Sequence, residues 1–217
     1  MSWLLGRVVL ACDFSCTVVR NRAMLHQHPD PGAFHNHRVA MAHPLEQKYG
    51  LTAQELLDAI DRRFRLKVAL EGAVAEVHFE RILRIASRQG WLNGYENHDT
   101  DGMHDFTVIP PSGVPLRVEV KTIRNGPTPK VEIQKTRAAK SDPTSRFYDR
   151  EQFDVVAVCI GRHTGDWSQF RYALVRELPS HRNYPNKLQV MHPIPETEGA
   201  KPRWYSRFKD VIDAYEA

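Results

Sequence analysis

Two carboxylates and an amine define the chemistry within reach of this 217-residue chain. Asp105 heads an alternating run, Asp105-Phe106-Thr107-Val108-Ile109, and Glu119 and Lys121 lie in a second one, Leu116-Arg117-Val118-Glu119-Val120-Lys121-Thr122. The segment between them, Pro110-Pro111-Ser112-Gly113-Val114-Pro115, reads as a hairpin turn, because Pro and Gly interrupt strands and favour chain reversal. Side chains alternate along a strand, so Leu116, Val118 and Val120 share one face while Arg117, Glu119 and Lys121 share the other. Pairing of the two strands would bring Asp105 and Glu119 side by side. Such oxygen donors suit a hard divalent cation such as Mg²⁺, with Lys121 as a point charge that helps ionise or orient an attacking water. The plainer reading leaves Glu119 and Lys121 on the wet face of an antiparallel hairpin, where same-face charges are common and contribute little.

Asp105 followed by Glu119-Val120-Lys121, with a helix carrying a further Glu upstream, resembles the core of the PD-(D/E)XK, or restriction endonuclease-like, nucleases. The upstream helix is Leu70-Glu71-Gly72-Ala73-Val74-Ala75-Glu76-Val77-His78-Phe79-Glu80. Glu76 best matches the acidic residue of that family's first core helix; Glu80, one turn later on the same face, and Glu71 compete with it. Downstream, Gln134, Thr136-Arg137 and Phe147-Tyr148 are similar to the Gln- and Tyr-bearing helix of some branches. The resemblance runs from Glu71 to Ile160, and it departs at His104, which stands where the namesake Pro would be.

The resemblance implies an α/β fold with a restriction endonuclease-like core, a central mixed β-sheet flanked by helices. It implies a Mg²⁺-dependent DNA endonuclease, with Mn²⁺ able to substitute. Asp105, Glu119, Glu76 and the backbone carbonyl of Val120 would hold the metal, and Lys121 would complete the catalytic set with Asp105, Glu119 and Glu76. DNA is then the partner, and restriction or defence against invading DNA is a compatible role. The competing account is a non-catalytic nucleic-acid-binding module on the same scaffold. RNA as substrate is a weaker option, because the basic window lacks the interleaved aromatics that single-strand binding uses.

The net charge is only +4, with a pI near 9.0, but its distribution is uneven. Residues 121–150 hold eight Lys/Arg against three acids, directly after the proposed metal ligands, where a polyanion would lie. Gln134, Lys135, Arg137, Lys140 and Arg146 are the expected nucleic-acid contacts. Arg137 and Arg146 are the leading phosphate ligands, since a planar guanidinium can contact phosphate bidentately. One active site per chain and two strands to cut together suggest a homodimer. Three cysteines, with Cys159 in an apolar run, fit a reducing cytoplasmic compartment. Cys12 and Cys16, with His26, His28, His35 and His37 nearby, do not form a familiar zinc pattern. No segment approaches the roughly 18 apolar residues that span a membrane, and Arg7 interrupts the apolar start as no signal peptide would. No repeat and no glycine-rich phosphate loop is present.

Several elements must position these groups. Residues 1–44 read as a poorly ordered arm, rich in His, Pro, Asn and Arg without periodicity, and Met41 is an alternative translation start; residues 45–217 form a single domain. A capping box at Thr52 and Glu55 opens a helix running through Arg65. A second helix, from about Leu66 to Gln89, carries an apolar stripe of Val74, Val77, Ile82, Leu83 and Ile85 and stops at Gly90. A polar connector (91–100) leads to the hairpin. After the break at 125–129, residues 131–134 are extended and 141–146 form a turn or start a helix. Phe153–Ile160 is nearly all apolar and should be the central strand, buried on both faces. A turn at 161–165, a strand at 170–175, an irregular stretch at 176–203 with a short strand near 187–191, and an amphipathic helix from Trp204 to Tyr215 complete the chain.

Overall fold

Val155–Cys159 is buried at all five positions, as a strand covered on both faces must be, and the rest of the sheet is laid out around it. The computed structural model describes residues 43–100, 102–124, 126–195 and 202–217. The proposed arm up to residue 42, and with it Cys12, Cys16 and the neighbouring histidines, lies outside the described residues. In chain order the helices are α1 (Pro44–Tyr49), α2 (Ala53–Asp61), α3 (Phe64–Arg88), α4 (Gly161–Thr164) and α5 (Phe208–Glu216). The strands are β1 (Gly94–Asn97), β2 (Phe106–Ile109), β3 (Leu116–Arg124), β4 (Lys130–Glu132), β5 (Val155–Cys159), β6 (Phe170–Leu174), β7 (Ser180–His181), β8 (Tyr184–Leu188) and β9 (Met191–Pro193).

The sheet is mixed and flanked by helices, the architecture that the resemblance implies. β1, β2 and β3 form an antiparallel meander, β3 runs parallel to β5, and β6 is antiparallel to β5. β3 is the hub. Its first residues pair with β2, its middle with β5, and its end, Ile123 and Arg124, with β4, which pairs in turn with β9.

Alternation in β3 and β5 splits the interior into two cores. Val118, Val155, Ala157 and Cys159 join Phe79 of α3 and Phe208 of α5 in one. Val156, Val158, Ile133, Tyr148, Phe153, Leu188 and Trp204 form the other. Phe79 is fully buried, with ring centroids 5.3 Å from Phe106 and 5.1 Å from Phe208, both edge-on, the geometry that opposes positive ring edge to negative ring face.

Several boundaries differ from the sequence reading. α2 ends at Asp61, so Phe64 opens α3 rather than closing the first helix. The buried stripe of α3 is Ala75, Phe79, Leu83 and Ala86, spaced for one helical face; Val77 and Ile85 are exposed. Two alanines carry half of that stripe, and small residues are easily overlooked when large apolar ones lie on a neighbouring face. The connector at 91–100 contains a strand, β1, whose pairing with β2 uses backbone groups and is therefore indifferent to its polar side chains. The stretch 176–203 holds the β7–β8 hairpin and β9. The last helix begins at Phe208, because Tyr205 exchanges backbone hydrogen bonds with Tyr172 at 2.8 and 2.9 Å and is held extended.

At Gly161, directly after β5, an added Cβ would sit 2.8 Å from the Trp167 backbone and ring. The chain turns there with no room for a side chain.

Candidate functional site: a carboxylate pair at the end of the β2–β3 ladder

Phe106 pairs with Val118 as the last step of the β2–β3 ladder. One step further, Asp105 falls opposite Glu119. There the strand pairing stops, and the Asp105 carboxylate takes over as acceptor: the Val120 N–H donates to its Oδ2 at 2.6 Å. A residue's N–H and C=O leave a strand on the same side, so the Val120 carbonyl is directed to that edge too.

Glu119 is not on a wet face. It is only 3% exposed, because Tyr148 and the second core cover the face of β3 that carries it. Its Oε1 accepts from both the Lys121 ammonium and the Tyr148 hydroxyl. Its Oε2 is buried without a hydrogen-bond partner among the described residues. Lys121 also lies 5.3 Å from the centre of the Tyr148 ring, within cation–π range.

The electrostatics follow from crowding. Burial, and next the Glu119 charge, push the Asp105 carboxyl up to about 7, against the opposing pull of Lys121 and the Val120 N–H. Burial raises Glu76 as well; Lys121 opposes that shift, and Glu119 and Asp99 add to it. For Lys121, burial disfavours the ammonium, but the Glu119 and Asp105 carboxylates outweigh it and hold the group above its usual range. Lys121 is therefore a permanent cation at neutral pH, suited to orienting a nucleophile and not to removing its proton.

The three glutamates of α3 separate clearly. Glu71 accepts from the Arg162 guanidinium, whose NH1 also bonds the Ile123 carbonyl at 3.0 Å. Glu80 accepts from the Tyr95 hydroxyl at 3.0 Å and from Arg84 at 3.1 Å. Glu76 is the one whose charge is felt by Asp105 and shaped by Glu119 and Lys121. Among the described residues no three His, Cys, Asp or Glu side chains converge as a ready metal cage. The donor set nonetheless suits a hard cation: a buried carboxylate oxygen without a partner, beside a second carboxyl that burial and like charge make reluctant to ionise.

The expected nucleic-acid residues occupy one extended region. Gln134 forms a bridge with Phe147 and donates its amide to Glu132. Lys135 N–H donates to the Arg146 carbonyl at 2.8 Å, and its ammonium lies 5.6 Å from the Tyr148 ring centre. Arg137 and Lys140 are exposed, while Arg146 is half-buried, its Nε 3.3 Å from the Lys135 carbonyl. Arg117, on the charged face of β3, is tied to Asp154 through Nε and NH2 at 3.0 and 2.8 Å.

Sequence reasoning missed Tyr148 as the partner of Glu119. The two are remote in sequence, and only the fold of the second core brings the hydroxyl onto the carboxylate. His98 and His104, each 2.8 Å from the Thr107 hydroxyl, flank Asp105 and were also not singled out as a pair. No helix among the described residues is long and apolar enough to cross a membrane.

No family model matches the sequence, and no curated protein matches it. Among solved structures the chain is similar to a bacterial homing endonuclease, I-Ssp6803I, at 18% identity over 68% of this chain and 90% of that one, with a TM-score of 0.41.

Proposed function

We propose that the chain is a divalent-metal-dependent DNA endonuclease of the PD-(D/E)XK type. The observation that carries this reading is Glu119 Oε2, buried and without a hydrogen-bond partner among the described residues, directly across from an Asp105 pushed up to about 7. Leaving such a group buried is costly unless something cationic meets it.

In this reading Asp105, Glu119 and the Val120 carbonyl hold Mg²⁺, with Glu76 completing the set directly or through water. The ion, when bound, supplies a water of lowered pKa and neutralises charge on the phosphate. The protein's own groups do the rest. Lys121 stays charged and positions the attacking oxygen beside Glu119. Tyr148 donates to the same Glu119 oxygen as Lys121 and fixes that carboxylate's rotamer. Arg137, Lys140, Lys135, Arg146 and Gln134 take the DNA backbone and edges, supported by their exposure or partial exposure along one segment.

The second reading is a non-catalytic nucleic-acid-binding module, favoured by one observation: Glu119 Oε1 is already met by Lys121 and Tyr148. A single experiment separates them. Supercoiled plasmid is incubated with wild type and with Lys121→Ala, with Mg²⁺ or with EDTA. The nuclease reading expects nicking by wild type in Mg²⁺ alone and a loss of at least about a hundredfold, 2.7 kcal/mol or more, in the variant. Wild-type rates retained by Lys121→Ala would refute the assigned role. Restriction or defence against invading DNA is the setting we attach to this activity, on the resemblance alone. The buried free Cys159 supports a reducing, cytoplasmic environment.

A further inference from the structure

The β7–β8 hairpin carries His181 and Tyr184 on either side of a two-residue tip, Arg182 and Asn183. The hairpin lies against the segment that follows the candidate site: Asp149 bridges Lys187, and the Arg150 N–H donates to the Asn186 carbonyl at 3.1 Å. The result is a three-ring cluster. Phe147 and His181 are stacked with centroids 4.5 Å apart and planes 24° apart. Tyr184 lies 5.1 Å from His181 and 5.8 Å from Phe147, tilted by 32° and 36°. Phe147 and His181 thus stack face to face and Tyr184 leans against both, forming one aromatic cluster. Tyr184 is 41% exposed, an unusual state for a ring with two aromatic neighbours. Arg182, exposed at the hairpin tip two residues before Tyr184, adds a positive charge to the same hairpin.

The position of Phe147 ties this surface to the site. Its backbone is extended, at φ −80° and ψ 133°, so Phe147 and Tyr148 project to opposite sides. Phe147 joins the aromatic cluster, and Tyr148 places its hydroxyl on Glu119. The cluster and the Tyr148–Glu119 contact are thus built on one short segment, with their side chains on opposite sides of it.

We propose that Phe147, His181 and Tyr184 form a stacking platform, with Tyr184 as its exposed ring, for an unpaired base of the bound DNA, giving the protein a preference for duplex with locally broken pairing. The proposal rests on the nuclease reading of the carboxylate site. A base within an intact duplex has both faces covered by its neighbours and cannot reach the cluster. An unpaired base can swing out, and any base has a π-face to offer, so the platform selects pairing state and not sequence. Arg182 at the hairpin tip would hold a flanking phosphate.

The test uses a duplex with a single bulged 2-aminopurine and the same duplex without the bulge, titrated with the full chain in EDTA so that nothing is cut. Wild type should quench the bulged base and bind that duplex about tenfold tighter than the paired one, a difference of about 1.4 kcal/mol. Tyr184→Leu should lose the quench and the preference, while Tyr184→Phe, which keeps the ring, should retain both. Circular dichroism establishes that Tyr184→Leu is folded. Equal binding of the two duplexes by wild type, or a preference that survives in Tyr184→Leu, overturns the platform. If wild type shows no preference yet nicks plasmid in Mg²⁺, the platform falls and the nuclease reading stands; if it neither binds nor nicks, both fall together.

Discussion

Asp105 is the residue whose state says most about the site. Its ordinary carboxyl value is 3.8, and burial beside Glu119 pushes it to about 7 in the folded chain. The folded state therefore favours the protonated form. The stability tied to this group is fully present below about pH 4 and is lost as pH rises through about 7. In EDTA, Asp105→Asn should melt above wild type at pH 8, by on the order of 2 kcal/mol or ~4–8 °C for a chain of this size. That gap should close at pH 4. Asn keeps an acceptor for the Val120 N–H, so the comparison isolates the charge. A gap of constant size at every pH would mean that Asp105 does not titrate with folding. Glu76 should shift in the same sense, since burial raises it too.

Among the elements, α3 braces the strand end that presents Asp105. Its buried stripe packs Phe79 against Phe106, which directly follows Asp105, so the helix that presents Glu76 also fixes the strand end that presents Asp105. Phe79→Ala should cost about 3–5 kcal/mol by cavity formation, read as a lower urea midpoint at unchanged slope. Val77→Ala, on the exposed face of the same helix, should stay within about 0.5 kcal/mol. Equal losses in the two variants would show that the wrong face of α3 has been taken as buried. This is also where sequence legibility divides. The period of two in Leu116–Thr122 and the unbroken apolar run around Val155–Cys159 revealed β3 and β5, because burial imposes those patterns directly. β1, β7 and β8 gave no such signal: they are short, largely exposed and held by backbone pairing that any side chains allow.

For the whole molecule, the first described helices, α1 and α2, carry an apolar surface. Neither α1 nor α2 has a buried residue, yet Leu45, Tyr49, Leu51, Leu57, Phe64 and Leu66 are all at least 39% exposed. Exposed apolar side chains in such number mark association surfaces. The homodimer expected from the sequence would cover such a surface. Sedimentation should then give twice the 25.0 kDa chain mass, and a Leu57→Lys/Phe64→Lys double variant should sediment as a monomer. A monomeric wild type at micromolar concentration would remove the dimer. On the nuclease reading, the monomeric variant should keep nicking while linearisation drops.

Local pattern alone revealed the hairpin carrying Asp105, Glu119 and Lys121, the central strand and the basic segment after it, since side-chain period, turn residues and charge runs are properties of neighbours in the chain. The sequence gave no sign that Tyr148 reaches Glu119 or that His181 and Tyr184 join Phe147. Tertiary structure alone decided these points. Each depends on contacts between segments far apart in the chain, where burial and pairing set the distance between side chains and sequence spacing does not.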